Sequence, residues 1–530
     1  YIGGKLLTYL DEEAAIADPL ISAGDIYRKS AGGVDYVNPD NVPSLDLRFA
    51  TDKTLTARRG PTPTFSRGSG ATYIGSDGLI HGIDTSTTLN SISAASKTFT
   101  LDATAGQDQF WRAGDAVEAS NGSNSMVGTV TSYNAATQSL VCNMTSASGT
   151  GAFTSWRIGY RGPRFDHDPV TLACKGLLIE EGRTNALQHS ANFKNTTSSS
   201  YWENITGTTV TVDQTTSPDG GVNADLLTTS TTAFDCFTRR SGVYAAASTQ
   251  YTYSIFVKRG PSNYRYVGFY VGAGTGGTGQ FPYFDFDNPT IVQLPTITYG
   301  TINSTRVDPY PNGWYRISIT FTTGGTTPST FAGVFISSST GAAQSTNPAG
   351  NDCYIWGIQS EIGSFPTSYI PTTTGTLARG ADVCTITSSA FNSFYNQSEG
   401  TFLSKTQLFS IGNDYNASYW NVFNPPNYMR VSVFGQTSTQ ESSYLQNDTP
   451  TTLSSTVASE QSRISRAAGA YQLNNARLVK NGTLGVLDTT FTPYSNLTSL
   501  AIMSQASGTI NSLRYYRKRL PDAKLQTLTV

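Results

Sequence analysis

Three pairs of carboxylates stand close together in this chain: Asp166 with Asp168, Glu180 with Glu181, and Asp285 with Asp287. A glycosidase needs two carboxyls about 5–9 Å apart across one cleft. Asp285 and Asp287 are two apart on an expected strand, which puts both on one face at about 7 Å. That spacing permits acid–base chemistry without specifying it, since a solvated strand edge has the same pattern. Glu180 and Glu181 with Arg183 read as a structural ion pair between domains. The histidines are His81, His167 and His189. His167, in FDHDP, stands between two carboxylates that can orient an imidazole. No GxSxG elbow, phosphate-loop lysine motif or HExxH accompanies it, so no catalytic residue is assigned. The aspartate pairs lack the DxDxDG spacing of a calcium loop. Gly-rich GAGTGGTG (272–279) is followed by a strand pattern rather than a helix, which makes it a hairpin loop and not a phosphate cradle. Cys142, Cys174, Cys236, Cys353 and Cys384 are scattered without a CxxC pair. They read as free thiols of a protein assembled in a reducing compartment, with no structural zinc and no cofactor.

The aromatic residues carry more information. In YRYVGFYV (264–271), alternation puts Val267, Phe269 and Val271 on one face and Tyr264, Tyr266 and Tyr270 on the other. In WYRISITF (314–321), Tyr315, Ile317, Ile319 and Phe321 share the apolar face, with Trp314, Arg316, Ser318 and Thr320 opposite. If both apolar faces meet in a core, the outer faces present rings beside Arg316. Sugars stack their CH faces on rings and hydrogen-bond to guanidinium and phenol groups. Tyr264, Tyr266, Tyr270, Trp314 and Arg316 are therefore the candidate glycan-contacting set. The competing reading is that these rings pack against a neighbouring domain or subunit. Trp356, flanked by Tyr354 and Ile358, reads as core.

The elements that must position these residues are strands. The 530 residues suffice for three to five domains. Charged residues are only 14% and aromatics 11%, a composition of β-sheets with polar turns rather than of disorder. Lys and Arg (35) do not exceed Asp and Glu (37), so no basic surplus exists for nucleic acid. No run of about 18 apolar residues exists, so no membrane insertion is expected. KLLTYLDEEAAIA (5–17) reads as a short helix stopping before Pro19. Residues 1–44 form an N-terminal docking segment too small for its own core. Residues 45–94 and 159–189 read as a β-rich connecting region, with a small β-barrel inserted at 95–158. Eight strand patterns over 190–375 fit a jelly-roll sandwich. The stretch 371–382 is a polar connector, and 384–530 forms a last sandwich ending in a helical turn or two at 519–528. The fold class is all-β and multi-domain, with jelly-roll and concanavalin-like sandwiches.

GPRFDHDPVTLACKGLLIEEGRTNAL (162–187) resembles a motif that recurs in bacteriophage and prophage virion proteins. So does QSEIGSFPTSYIP (359–371), followed by Arg379 and Ala381-Asp382. NSLRYYRKRLPDAKLQTLT (511–529) is similar to the terminal strand and helix of laminin-G or concanavalin-like domains in those proteins. The resemblance implies a non-enzymatic head-spike, tail or fibre protein with carbohydrate-binding-like sandwiches. It would be a homo-oligomer, most often a trimer, assembled in the host bacterial cytoplasm. Its partners would be other virion proteins through the N-terminal segment, and host surface polysaccharide. The barrel insertion departs from the short link usual there. The runner-up is a glycan-depolymerising tailspike, though such enzymes usually show long β-helix runs or an α/β barrel. A purely structural decoration protein and a secreted bacterial glycan-binding protein are further readings.

Overall fold

The computed structural model describes residues 27–30, 33–36, 42–102, 111–194, 201–204, 207–229, 237–241, 243, 246–272, 281–292, 300–325, 331–337, 349–409, 418–437, 440–447, 453–458, 464–504 and 506–530. The helix expected over 5–17, the glycines at 273–279 and Cys236 lie outside them. Tyr27–Ser30 and Gly33–Tyr36 form an antiparallel hairpin. The fold is all-β, as the strand patterns require, and it holds two sandwiches and a barrel.

The terminal sandwich is not confined to 384–530. Its first sheet centres on Gly508–Tyr516, which pairs with Glu399–Leu408, Cys174–Ile179 and Leu45–Leu47. Its second sheet ends on Thr64–Ser66, paired with Val383–Thr387. Leu45, Leu47, Phe49, Leu177 and Ile179 share one core with Phe402, Trp420, Leu500 and Tyr515. The expected connecting region is thus corrected: its strands complete the last sandwich. LDLRF alternates because Leu45, Leu47 and Phe49 face that core. The chain ends in the helix Asp522–Thr529, which packs Leu525 against Leu520 and Tyr516.

The other two modules are insertions into this sandwich. The barrel uses six strands, from Ile83–Ser86 to Trp156–Tyr160, so it spans more than 95–158. The bridge Ser86↔Leu101 joins its first strand to the end of Ser96–Thr100 and closes the ring. Phe99, Val117, Leu140, Trp156 and Ile158 fill it. The central sandwich stacks two six-stranded antiparallel sheets over a core that includes Tyr253, Val267, Phe269, Ile317, Ile319 and Phe321. Its outgoing and returning chains are zipped together, Arg183–Asn185 against Leu377–Arg379. The stretch 371–382 therefore carries one strand of this ribbon, Leu377–Arg379, and is not a free connector.

Trp356 is buried, but not in the sandwich core. Gly357 (φ +61°) forms a bulge, marked by a register shift between Ser254 and Phe256 on the facing strand. The extra residue changes the phase of alternation. Ile355 and Ile358 point into the core, while Tyr354 and Trp356 point outward into a second layer with Phe256, Tyr310, Trp314, Tyr369 and Ile80.

Candidate functional site

The five residues of the aromatic set do not form one site. Tyr266 and Tyr270 lie on Tyr266–Gly272 of one sheet; Trp314 and Arg316 lie on Trp314–Thr323 of the other. Both strands turn their apolar residues into the shared core, so the remaining side chains face away from each other. Tyr270 is 1% exposed and packs on Phe281 at 4.8 Å. Trp314 is 2% exposed, and its indole N–H donates to the Thr216 carbonyl (2.9 Å). Arg316 is 7% exposed, over the Phe256 ring. The alternation is right, but the face it assigned to solvent is covered by Tyr369 and Ile80 from elsewhere in the chain. Tyr264 precedes its strand, leans on the sandwich core and donates to the Ser337 carbonyl (2.9 Å). Tyr266 is half-buried, edge-on to Tyr264 and Tyr283.

The carboxylate pairs are also committed. Asp285 and Asp287 both pair with Arg265 (2.7 and 3.2 Å), and Asp287 pairs with Arg259 (2.5 Å). The hydrogen bond from Arg265, against modest desolvation, holds the Asp285 carboxyl below its usual range. Asp166 pairs with Lys175 (2.7 Å) and accepts from the Ile74 N–H. His167 is oriented by the Ile74 carbonyl (3.2 Å) instead of by its neighbouring carboxylates, and burial lowers its pKa. Among the described residues no group of His, Cys, Asp and Glu has the arrangement to hold a metal. Cys142, Cys353 and Cys384 are buried thiols and Cys174 is partly buried. Burial pushes Cys142 and Cys384 up to about 12.

The residues of the segments 162–187 and 359–382 converge on the junction of the modules. Arg164 spans Glu180 (2.8 Å) and Asp382 (2.5 Å), and Arg67 takes the other Asp382 oxygen (2.8 Å). Arg379 stands 3.5 Å from Glu180, whose oxygens also accept the Ser368 N–H and hydroxyl (2.7 Å each). Burial alone would raise Glu180; Arg379, Arg164 and Ser368 outweigh it and hold the carboxyl at about 2. The Glu180-Glu181-Arg183 reading resolves into two parts: Glu181 pairs with Arg183, and Glu180 joins the buried cluster. Gly363 (φ +141°) has no room for a Cβ, because the Arg183 guanidinium lies there on its way over Phe365 (5.1 Å).

Beside this cluster opens a cleft of about 870 Å³, walled by the Asp166–Leu178 region, the central sandwich and the terminal sandwich. Arg306 reaches into it, paired to Asp308 (2.8 Å) with its guanidinium 6.0 Å from the Phe409 ring centre. Tyr310 forms part of its wall; the ring stands edge-on to Phe256, and its hydroxyl has no hydrogen-bond partner among the described residues. The Asn511 carboxamide is likewise unpartnered among them, as is the amide nitrogen of Asn481, whose oxygen accepts the Arg466 N–H (2.9 Å). Rings and planar amides around a partly apolar hollow are what a sugar ring needs. Sequence reading missed this site because its walls come from segments more than 300 residues apart.

No family model matches the chain, and no curated protein matches it in sequence. Several solved structures resemble it weakly. The Ruminococcus gnavus IT-sialidase CBM40 bound to alpha2,3 sialyllactose is 17% identical, covering 26% of this chain and 84% of that one, with a TM-score of 0.21. Mouse laminin alpha1 domains LG4-5 are 9% identical over 65% and 94% of the two chains, with a TM-score of 0.18. The CBM22 tandem of Paenibacillus barcinonensis Xyn10C is 11% identical over 64% and 97%, with a TM-score of 0.22.

Proposed function

We propose that the chain is a non-enzymatic attachment subunit of a bacteriophage particle, a head spike or tail fibre, that binds host surface glycan through the inter-module cleft. The observation that carries the glycan reading is the cleft itself: Tyr310, Asn481 and Asn511 bring to it polar groups without a partner among the described residues, in a hollow that also holds the Phe409 ring. The virion placement is supported by the two sequence motifs, whose residues build the buried junction that holds three modules together. The non-enzymatic reading is supported by the carboxylate pairs, each tied up by cations or backbone N–H groups. Weak single sites suffice when many copies, as in a trimeric spike, act together.

An array of bacterial polysaccharides tests the glycan reading. The wild-type chain is expected to bind a subset, and Tyr310→Phe with Asn511→Ala to lose most of that binding while remaining folded. Binding that survives the double variant sinks the site. Antibody labelling of purified particles tests the virion placement, and sedimentation tests the trimer.

A further inference from the structure

Four cations line the cleft, Lys175, Arg306, Arg316 and Arg466, with four carboxylates, Asp166, Asp168, Glu180 and Asp308, but only two of the cations close on a carboxylate of the lining. Lys175 is taken by Asp166 (2.7 Å) and Arg306 by Asp308 (2.8 Å). Glu180 belongs to the Arg164 and Arg379 cluster. The remaining carboxylate, Asp168, is held by the N–H groups of Val170 (3.0 Å) and Thr171 (2.8 Å). Two further guanidiniums line the cleft, Arg316 and Arg466, and neither is in an ion pair among the described residues. Arg466 is half-buried. Arg316 is 7% exposed; one terminal nitrogen donates to the Thr367 carbonyl (2.7 Å) and the other to the Ser254 hydroxyl (3.1 Å). A guanidinium has five N–H donors, so most of the Arg316 fork is left over.

Burying a cation without a counter-ion is costly. The chain keeps Arg316 in that state at a cleft where Lys175 and Arg306 each have a carboxylate and Arg466 is a second cation without one among the described residues. We infer that the cleft takes an acidic glycan, its carboxylate or phosphate received by Arg316 and Arg466 while the sugar ring lies against Tyr310 and Phe409. A planar guanidinium fork suits either anion. This inference rests on the glycan-binding reading and narrows its ligand class.

Matched pairs of oligosaccharides test it on the full chain by calorimetry: sialyllactose against lactose, oligogalacturonate against its methyl ester, and pentamannose phosphate against pentamannose. In at least one pair the acidic member is expected to bind about tenfold or more tighter, a difference of ~1.4 kcal/mol. Arg466→Gln should shrink that preference, and added salt should weaken only the acidic member. Arg316→Lys, which keeps the charge and loses the fork, should also reduce it. A preference confined to the phosphate pair assigns the anion as phosphate; one confined to the other pairs assigns carboxylate. Equal binding within every pair overturns the acidic class and leaves glycan binding standing. Binding by no member overturns both. A preference untouched by both arginine variants overturns the assignment to this cleft.

Discussion

Arg164 and Arg316 are both buried guanidiniums lying near the same module junction, and their surroundings differ in kind. Arg164 has its charge matched: it pairs with Glu180 and Asp382, and the Thr72 carbonyl and the Ser368 hydroxyl accept from it. Arg316 meets one carbonyl and one hydroxyl. In the first case the charges answer each other and the product is a fixed junction between modules. In the second the charge is left open toward a cleft. A buried cation is thus structural or receptive according to its counter-ions, which a burial value alone does not reveal.

That contrast can be broken by mutation. Asp382→Ala takes the ion partner from Arg67 and leaves Arg164 with Glu180 alone, and is expected to cost about 3–5 kcal/mol, the usual penalty for breaking a buried pair. Arg316→Met removes a charge that has no ion partner among the described residues and is expected to cost about 1–2 kcal/mol, from two lost hydrogen bonds. Denaturant unfolding of both variants measures this; an Arg316 loss equal to that of Asp382 would erase the distinction. Trp314→Ala, on the same covered face as Arg316, should cost about 3–5 kcal/mol as a core cavity. A shift of only a few tenths would return Trp314 to the surface.

Acid sharpens the comparison. Glu180 has its carboxyl depressed from 4.5 to about 2 in the folded chain. A depressed carboxyl contributes stability above its unfolded pKa and loses it as pH falls through the folded one. The junction is therefore expected to weaken between about pH 4.5 and about 2, as followed by the melting temperature, and Glu180→Gln should flatten that limb. Asp225 has the opposite sign. Burial raises it to about 6 although the Phe193 and Asp213 N–H groups donate to it. A raised carboxyl penalises the folded state above its unfolded value, and fully so above the raised one, so the central sandwich should gain stability as pH falls from about 6 towards 3.8. Asp225→Asn is expected to remove the gain. The smallest effect belongs to Tyr266→Ala. It loses edge contacts to Tyr264 and Tyr283, worth about 0.5–1.5 kcal/mol each at most, and should leave oligosaccharide titrations unchanged.

Local signals were legible and distant ones were not. Period-two alternation correctly separates Ile317, Ile319 and Phe321 from Trp314 and Arg316, because the pleat is a property of the strand alone. Whether the second face meets water depends on Tyr369 and Ile80, and nothing in the strand records them. The barrel was readable because its strands are consecutive in sequence, apart from the closing bridge to Ser86. The terminal sandwich was cut short because Leu45–Leu47 and Cys174–Ile179 join it across the length of two inserted modules. The bulge at Gly357 shifts Trp356 and Ile358 onto opposite faces, which a lone glycine in a strand only hints at.

The placement of Gly508–Tyr516 in the middle of its sheet has a consequence for synthesis. The Ser44 hydroxyl contacts the Tyr515 carbonyl across a separation of 471 residues. A ribosome adding ~5–20 residues per second leaves Leu45–Leu47 without its partner strand for roughly 25–90 s. In that interval the barrel and the central sandwich, each made from one unbroken stretch, have all their own strands. The outer sandwich has two unfinished halves whose facing edges lack the strand that joins them, and open edges invite wrong pairing. A chain cut short before residue 508 would carry finished inner modules on an unjoined outer sheet, and so would be recognisable by its open edges to whatever clears unfolded protein from the cell.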